Sequence, residues 1–359
     1  MQRQIGSILA LALSSMSPAL AGPAGASEPH WPDDYCAAVA TPALRNICIE
    51  RHASDAAAGE GEESAAGDIA LLIPWWETVA ASLAGDADVR RRILGLQVGR
   101  LFLGEDGSPA ESTNLAAAAG DDPLALRMLL NALDDGEAAV RRELAARLVA
   151  VEPTSVHALL HALAAAHGDA IETDRILLSS RVAEGPSEGY SSQLAFYIDV
   201  LADHPPPAAI AGPATAGPTV EAAFALLHAT AMPSFMPLFG ACRDAAQAAA
   251  RREPCRAIAR AMALRAETAL TRNIGFGLWR AVEDDPGAMV EIAGAERMFQ
   301  WRMLQSGFLL DDDAARFARL LMRPGSTEVD AMADILAEHG VAAEPPPGWR
   351  SWDERADAR

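Results

Sequence analysis

Apolar residues recur at intervals of three and four along most of this chain, and no segment shows the apolar and polar alternation of a half-buried strand. Residues spaced three and four apart lie on one face of an α-helix. The clearest case follows Asp122-Pro123, where four leucines share one face: Leu126, Leu129, Leu130 and Leu133. The pattern predicts an all-α protein in which each helix buries one apolar face.

The same apolar pattern returns thirty residues later, after Glu152-Pro153. Its inward positions are Val156, Leu159, Leu160 and Leu163. A partner helix is predicted between the two, at about 137–151, and a second partner at about 172–183. Helix pairs at a constant period indicate stacked antiparallel helical hairpins, as in an α-solenoid superhelix.

Other helix starts are marked by residues that cap a first turn and by prolines, which fit the first helical position. Asp86 or Asp88 is expected to cap one helix and Thr327 another. Glu253-Pro254 and Asp285-Pro286 repeat the acidic-proline start. Further predicted helices span 69–83, 88–103, 190–201, 220–231, 242–251, 253–271, 314–322 and 327–339.

Two stretches of biased composition divide the chain. Residues 54–67 are low-complexity Ala, Gly and Glu, and residues 205–218 begin with three prolines, which lack the N–H that a helix interior needs. We expect the second stretch to separate two helical subdomains. The predicted divisions are a signal peptide at 1–26, a cysteine-bearing segment and linker at 27–67, a helical-repeat region at 68–204, a linker at 205–218, a C-terminal helical region at 219–341 and an extended tail at 342–359.

The first residues have the pattern of an export signal. Arg3 gives a positive start, Ile5 to Leu13 is apolar, and Ala19-Leu20-Ala21 is a small-x-small cleavage site with a near-equal alternative at Ala24-Gly25-Ala26. The apolar run is too short to cross a bilayer, and no later segment reaches the roughly 18 apolar residues that a span needs. We therefore expect a periplasmic or secreted protein without a membrane span.

The chain has four cysteines: Cys36, Cys48, Cys242 and Cys255. In an oxidising compartment paired thiols form disulfides, and the spacing favours Cys36–Cys48 and Cys242–Cys255 among the three possible pairings. A competing hypothesis is a metal site in which His30 and His52 join the first pair. Neither pair has the short spacing of a structural zinc site, so disulfides are favoured.

The composition excludes several kinds of chemistry. All 29 basic residues are Arg, and without Lys there is no Schiff-base catalysis, no pyridoxal-phosphate attachment and no P-loop. The net charge of −20 opposes binding to nucleic acid or to anionic membranes. The abundance of Ala, Arg, Gly and Pro is typical of a GC-rich bacterial gene. No cofactor is predicted.

Residues of about 120–185 resemble the tetratricopeptide repeat family. Glu152-Pro153 is similar to the acidic-proline pair that closes one repeat, and Leu160, Leu177 and Ser180 fit the following unit. His161 stands where the family has a small residue, and the first unit is shorter than the family's repeat. The resemblance implies a superhelical scaffold that binds proteins or peptides in its groove and has no catalytic activity.

The candidate binding residues are two histidines and two tryptophans: His157, His161, Trp349 and Trp352. His157 and His161 point the same way from a helix and either share a metal or pack at a groove edge. The zincin motif is absent, because no Glu follows the first His. The tryptophans, which lie in the proline-rich tail, either anchor a partner or pack back on the body.

Two acidic candidates remain open. Asp311, Asp312 and Asp313 bind a hard cation or offset the dipole of the following helix. Glu188 lies in a Gly/Ser stretch, where it is either a glycosidase acid or part of a turn.

No motif identifies a catalytic residue. The sequence therefore favours a non-catalytic helical-repeat protein that binds a protein or peptide in the bacterial envelope; the alternative is an envelope hydrolase or metal-dependent enzyme.

Overall fold

In the computed structural model the described residues are 62–104, 108–207, 217–230, 233–243, 249–310, 314–323 and 325–350. Their regular structure is helical, and among them only a single isolated bridge, between Ser155 and Ser187, has β geometry. The expectation of an all-α protein is confirmed. The predicted signal peptide, Cys36, Cys48, Asp311 to Asp313 and Trp352 lie outside the described residues.

Fifteen α-helices lie in the described ranges. They are α1 (Glu62–Leu83), α2 (Val89–Phe102), α3 (Pro109–Ala119), α4 (Pro123–Ala132), α5 (Ala138–Val151), α6 (Val156–Ala165), α7 (Ala170–Ser179), α8 (Tyr190–Ala202), α9 (Pro218–Thr230), α10 (Met236–Arg243), α11 (Ala249–Arg265), α12 (Ala269–Val282), α13 (Pro286–Leu310), α14 (Ala314–Leu321) and α15 (Glu328–Glu338). Two 3₁₀ turns accompany them, Asp135–Glu137 and Val182–Glu184.

The chain divides into two compact units. The larger unit comprises Leu72–Pro205 and Leu226–Glu296, and the smaller comprises Met1–Leu71, Pro206–Ala225 and Arg297–Arg359. In the larger unit α2 packs on α4, α4 on α5, α5 on α6, and α6 on α7, while α11 packs on α7 and α12. In the smaller unit α14 packs on α15. Consecutive helices of the larger unit thus pack as neighbours.

The apolar faces predicted for α4 and α6 are buried. Leu126, Leu129 and Leu130 are at most 1% exposed on α4, and Leu160 is equally enclosed on α6. Asp122 caps α4 as expected, with its carboxylate accepting from the Ala125 N–H. The second start differs from the prediction, because a turn occupies 152–154 and α6 begins at Val156.

Several helix limits differ from those predicted. α1 begins at Glu62, so the end of the stretch predicted as a loop is helical, and Pro74 lies inside the helix. Instead of helices at 242–251 and 253–271, the structure has α10 ending at Arg243 and α11 beginning at Ala249 with Pro254 inside it. The break falls at 266–268, where Thr268 caps α12. The caps predicted at Asp88 and Thr327 are confirmed.

Ion pairs between arginines and acidic residues in the connections between helices join helices of the larger unit. Arg90 Nε donates to Asp122 at 2.7 Å, and Arg252 Nη1 donates to Asp284 at 2.8 Å. Arg127, which is only 3% exposed, pairs with Glu152. A bidentate or enclosed guanidinium holds its partner in a fixed geometry. Asp122 thus anchors an arginine of an earlier helix at the start of α4, and Glu152 and Asp284 do so from the connections that follow α5 and α12.

The Cys242–Cys255 disulfide predicted from spacing is present and joins α10 to α11. Both cysteines are at most 1% exposed. Closing a loop of 13 residues stabilises the folded state by about 3 kcal/mol in the chain-entropy model. The bridge fixes the first half of α11, whose second half forms the surface described below.

A hydrogen-bonded polar network lies inside the larger unit. The buried Tyr197 hydroxyl donates to Gln97 Oε1 at 2.8 Å and accepts from Gln193 Nε2 at 2.7 Å, while Gln97 Nε2 donates to the Met128 carbonyl at 2.9 Å. Burial raises the pKa of Tyr197 to about 12. Because buried polar groups require partners, this network fixes the register of α2, α4 and α8.

Within the described ranges, no helix is long and apolar enough to cross a bilayer.

Candidate functional site

The two predicted histidines lie in the helix core. His157 and His161, on α6, are 4% and 7% exposed, and His161 Nε2 lies 3.2 Å from Asn131 Oδ1 of α4. Burial, with the nearby charges of His157 and Arg141, lowers the pKa of His161 to about 3. The enclosure of both side chains matches the packing alternative. Over the described part of the chain, no group of three His, Cys, Asp or Glu side chains is arranged to hold a metal ion.

Glu188, the candidate glycosidase acid, is also buried, at 2% exposure. Its carboxylate accepts the Glu267 N–H at 2.9 Å, the Thr268 N–H at 3.3 Å and the hydroxyls of Thr268 and Thr271 at 2.5 and 3.1 Å. These donors surround the N-terminus of α12, whose unpaired N–H groups require acceptors. Glu188 therefore holds the turn before α12 and its cap residue Thr268, from a loop about eighty residues earlier in the chain.

Glu267 makes the reciprocal contact. Its carboxylate accepts the N–H groups of Glu188 and Tyr190, both at 3.2 Å, at the start of α8. Each glutamate thus caps the segment that carries the other. Burial, and to a lesser degree the charge of Glu267, raises the pKa of Glu188 to about 7, although its hydrogen bonds with Thr268 oppose the shift. We name this pair the reciprocal carboxylate cap; its contacts match the structural alternative rather than the catalytic one.

Trp349 packs back on the smaller unit. It is 6% exposed, and its ring meets Trp301 edge-on with centroids 5.6 Å apart. Arg297 donates to its carbonyl, and Trp301 Nε1 donates to the Ala342 carbonyl at 2.9 Å. The tail segment therefore binds its own unit, which is the second of the two alternatives considered for this tryptophan.

A concave surface open to solvent lies on α11. A depression of about 430 Å³ is lined by Ala183, Ala257, Arg260, Ala261, Leu264 and Arg265. Ala257, Ala261 and Leu264 follow the spacing i, i+4, i+7, so they share one face of α11. On the helix circumference Arg260 and Arg265 lie on opposite sides of that face. We call this surface the α11 groove.

The walls of the α11 groove are fixed by its two arginines. Arg265 Nη1 donates to the Glu184 carbonyl at 3.0 Å, and Nη2 donates to the Ala183 carbonyl, so the guanidinium holds the 3₁₀ turn against the helix. Arg260 lies over the Trp279 ring, 5.6 Å from its centroid, and pairs with Glu291 at 2.8 Å. Both arginines remain exposed to solvent. The groove is thus preformed and apolar along its floor, with an arginine at each edge.

Exposed apolar side chains occur on the neighbouring helix. Ile171 and Leu178 of α7 are 83% and 64% exposed, and their separation of seven residues places them on one face. α7 packs on α11, to which it is joined by the Arg251–Asp174 ion pair. Large apolar residues that are exposed next to a preformed groove are typical of interaction surfaces.

A serine and a histidine pair at the surface between α1 and the end of α8. Ser82 Oγ lies 3.0 Å from His204 Nε2, and Trp75 Nε1 donates to the His204 carbonyl at 3.1 Å. This distance suits proton transfer from a serine to an imidazole. Around this pair, the described residues supply neither a carboxylate on His204 Nδ1 nor paired N–H donors near Ser82.

No protein-family model, curated protein or solved structure matches this chain. Sequence reasoning missed both surfaces. The α11 groove joins residues about eighty positions apart, and the Ser82–His204 pair joins residues 122 positions apart. The apolar spacing in α11 was visible, but only the tertiary contact with Ala183 makes it concave.

Proposed function

We propose that this protein is an exported, non-catalytic helical-repeat module that binds a protein or peptide partner in the bacterial envelope. The observation that supports the proposal is the α11 groove, a preformed apolar concavity with an arginine at each edge. Its volume falls in the range of ligand-binding clefts. The hairpin packing of α4 to α7 and the tetratricopeptide-like residues at 120–185 support a repeat scaffold.

Export is part of the proposal, and the disulfide is consistent with it. The Cys242–Cys255 disulfide forms and persists in an oxidising compartment. The signal-like first residues agree with that environment.

A panel of three synthetic helical peptides tests the binding function. The peptides share one leucine stripe and differ only in the residues that border it, which are Glu, Gln or Arg. Hydrogen exchange of the full chain is measured with and without each peptide. We expect at least one peptide to protect α11 around 257–265, and we expect Ala257→Glu to abolish that protection by placing a charge in the groove.

The matched control is Ala146→Glu, which adds the same charge at an exposed alanine of α5. We expect this variant to bind as the unaltered chain does. Absence of protection of α11 by all three peptides would contradict the proposed function, as would equal effects of the two substitutions.

Ester hydrolysis is a second candidate function, favoured by the Ser82–His204 pair. In it His204 Nε2 would take the proton of Ser82 as Oγ attacks the carbonyl carbon of an ester. The ester C–O bond would break and the alcohol would leave with that proton; water would then hydrolyse the acyl-serine, releasing the acid and restoring Ser82. A fluorophosphonate probe is expected to label Ser82 covalently, and His204→Ala is expected to abolish the labelling. His167→Ala, at an exposed histidine of the same unit, is the control. Labelling that survives in His204→Ala, or none in the unaltered chain, removes this candidate.

A further inference from the structure

Each edge of the α11 groove carries an arginine, although the protein as a whole is strongly acidic. α11 contains five arginines and one glutamate, whereas the chain has a net charge of −20. Arg260 and Arg265 border the apolar face formed by Ala257, Ala261 and Leu264. A partner that fills the groove therefore brings an apolar strip between two guanidinium groups.

Arg265 is available to a partner carboxylate. Two of its nitrogens donate to the carbonyls of Ala183 and Glu184, and its side chain makes no ion pair with a carboxylate in the described part of the chain. A guanidinium has five N–H donors, so donors remain after these two contacts. The carbonyl contacts hold the group in place at the edge of the groove, which lowers the entropic cost of binding an anion there.

Arg260 has a carboxylate partner that a ligand can replace. Its pair with Glu291 is exposed, with side-chain exposures of 56% and 47%. Exposed pairs of this kind contribute little to stability. The Trp279 ring beneath the Arg260 guanidinium holds the guanidinium in position by a contact that does not involve Glu291. A partner carboxylate can therefore take the place of Glu291 without moving the arginine.

The backbone of the partner favours a helix over an extended strand. The groove floor consists of alanine and leucine side chains, and no strand edge lies in the described residues to pair with an extended peptide. An extended segment would turn unpaired N–H and C=O groups toward an apolar surface, which costs free energy. A helix satisfies these groups internally and presents a continuous apolar face.

We propose that the occupant of the α11 groove is an amphipathic helix whose apolar face is bordered on both sides by acidic residues. This inference rests on the proposed binding function and names its partner's chemistry. The leucines of such a helix lie on Ala257, Ala261 and Leu264, and its carboxylates bind Arg260 and Arg265. Electrostatic complementarity of this kind sets partner choice more than total affinity.

The inference is tested with the same three peptides by fluorescence anisotropy on the full chain. We expect the Glu-bordered peptide to bind about tenfold more tightly than the Gln-bordered peptide, and the Arg-bordered peptide to bind most weakly. We expect the preference to shrink as salt is raised, because the pairs are exposed. Arg260→Gln combined with Arg265→Gln is expected to bring the Glu-bordered peptide to the affinity of the Gln-bordered one.

Three controls separate the possible outcomes. Arg142→Gln removes one positive charge from the exposed face of α5, half of what the double variant removes, and is expected to leave the preference intact. Arg265→Lys keeps the positive charge and is expected to retain most of the preference for the Glu-bordered peptide. It separates the loss of charge from any loosening of the 3₁₀ turn that Arg265→Gln causes. Equal binding of the Glu- and Gln-bordered peptides overturns the inference but leaves the proposed function standing, whereas absence of binding by all three overturns both.

Discussion

Replacement of Glu188 by Gln is expected to raise the free energy of unfolding at pH 8 by about 3 kcal/mol and to leave it nearly unchanged at pH 4.5. The pKa of Glu188 is about 7 in the folded chain, against 4.5 for an ordinary glutamate. Because the folded state holds this proton more tightly, the contribution of Glu188 to stability falls as the pH rises from about 4.5 to 7. Gln mimics the protonated form and removes that loss.

The geometry of the reciprocal carboxylate cap suits glutamine. Its amide oxygen can accept the N–H groups of Glu267 and Thr268 as the carboxylate does. Its NH₂ group can donate to the Thr271 hydroxyl oxygen, which now donates to the carboxylate. Glu188→Ala is different, because it leaves two buried N–H groups without an acceptor. We expect the Ala variant to be about 2–3 kcal/mol less stable than Glu188→Gln at every pH, because neither variant titrates at this position.

The comparison is made by urea unfolding at closely spaced pH values, as the difference between variant and unaltered chain. The difference between the two proteins is needed because His161 also makes the free energy of unfolding depend on pH, with a slope of opposite sign. Its pKa is lowered to about 3 by burial, so its contribution to stability is lost as the pH falls below 6.5. That contribution is common to both proteins and cancels. Glu77→Gln, which removes an exposed carboxylate from α1, is the control and is expected not to reproduce the gain in stability between pH 4.5 and 8.

A Glu188→Gln difference that stays constant from pH 4.5 to 8 would mean that the carboxylate is ionised throughout. Glu188 would then act as an ordinary charged cap of α12, with its four hydrogen bonds outweighing burial.

The apolar faces and several caps could be predicted because they depend on neighbouring residues. Leucine spacing defines the buried face of α4, and Asp88 and Thr327 cap helices through contacts within three residues. The Cys242–Cys255 disulfide likewise joins residues close in sequence. For such features the local chain contains all the atoms that decide the structure.

The errors occur where distant contacts override a local signal. Glu152-Pro153 has the composition of a helix start, yet Ser155 is the cap, and the Val156 N–H pairs with the Ser187 carbonyl. At α11, the helix extends past Pro254 to Ala249. Arg251 and Arg252 of that extension pair with Asp174 and Asp284. Ion pairs across about eighty and about thirty residues cannot be deduced from spacing.

The sequence near the candidate site predicts even less of its structure. Alanine-rich faces such as the one on α11 occur in several helices of this chain, and nothing in the sequence singles this one out. Its concavity depends on the 3₁₀ turn that Arg265 holds against the helix. The reciprocal carboxylate cap was equally hidden, because Glu188 and Glu267 lie in unrelated turns and are joined only by the fold.

Replacement of Gly275 by Ala is expected to lower the free energy of unfolding by about 3 kcal/mol, at the upper end of what overpacking a core costs. Gly275 lies where α12 crosses α11. A methyl group there would lie 2.7 Å from the Met262 carbonyl carbon and 2.8 Å from Ala263 Cα, and closer still to the Ala263 nitrogen. All three are backbone atoms, so no side-chain rotation relieves the overlap and the two helices must separate.

Gly277 provides a matched control two residues along the same helix. A methyl group there meets no atom within 4 Å, so Gly277→Ala adds helix propensity without overlap. We expect it to raise the free energy of unfolding by about 0.5–1 kcal/mol, opposite in sign to Gly275→Ala. Urea unfolding of both variants measures these two changes in the free energy of unfolding. Because α11 carries the groove on its other face, separation of the helices by Gly275→Ala should also weaken peptide binding, whereas Gly277→Ala should not. If the two substitutions had the same effect on stability, helix propensity rather than close backbone contact would govern this crossing.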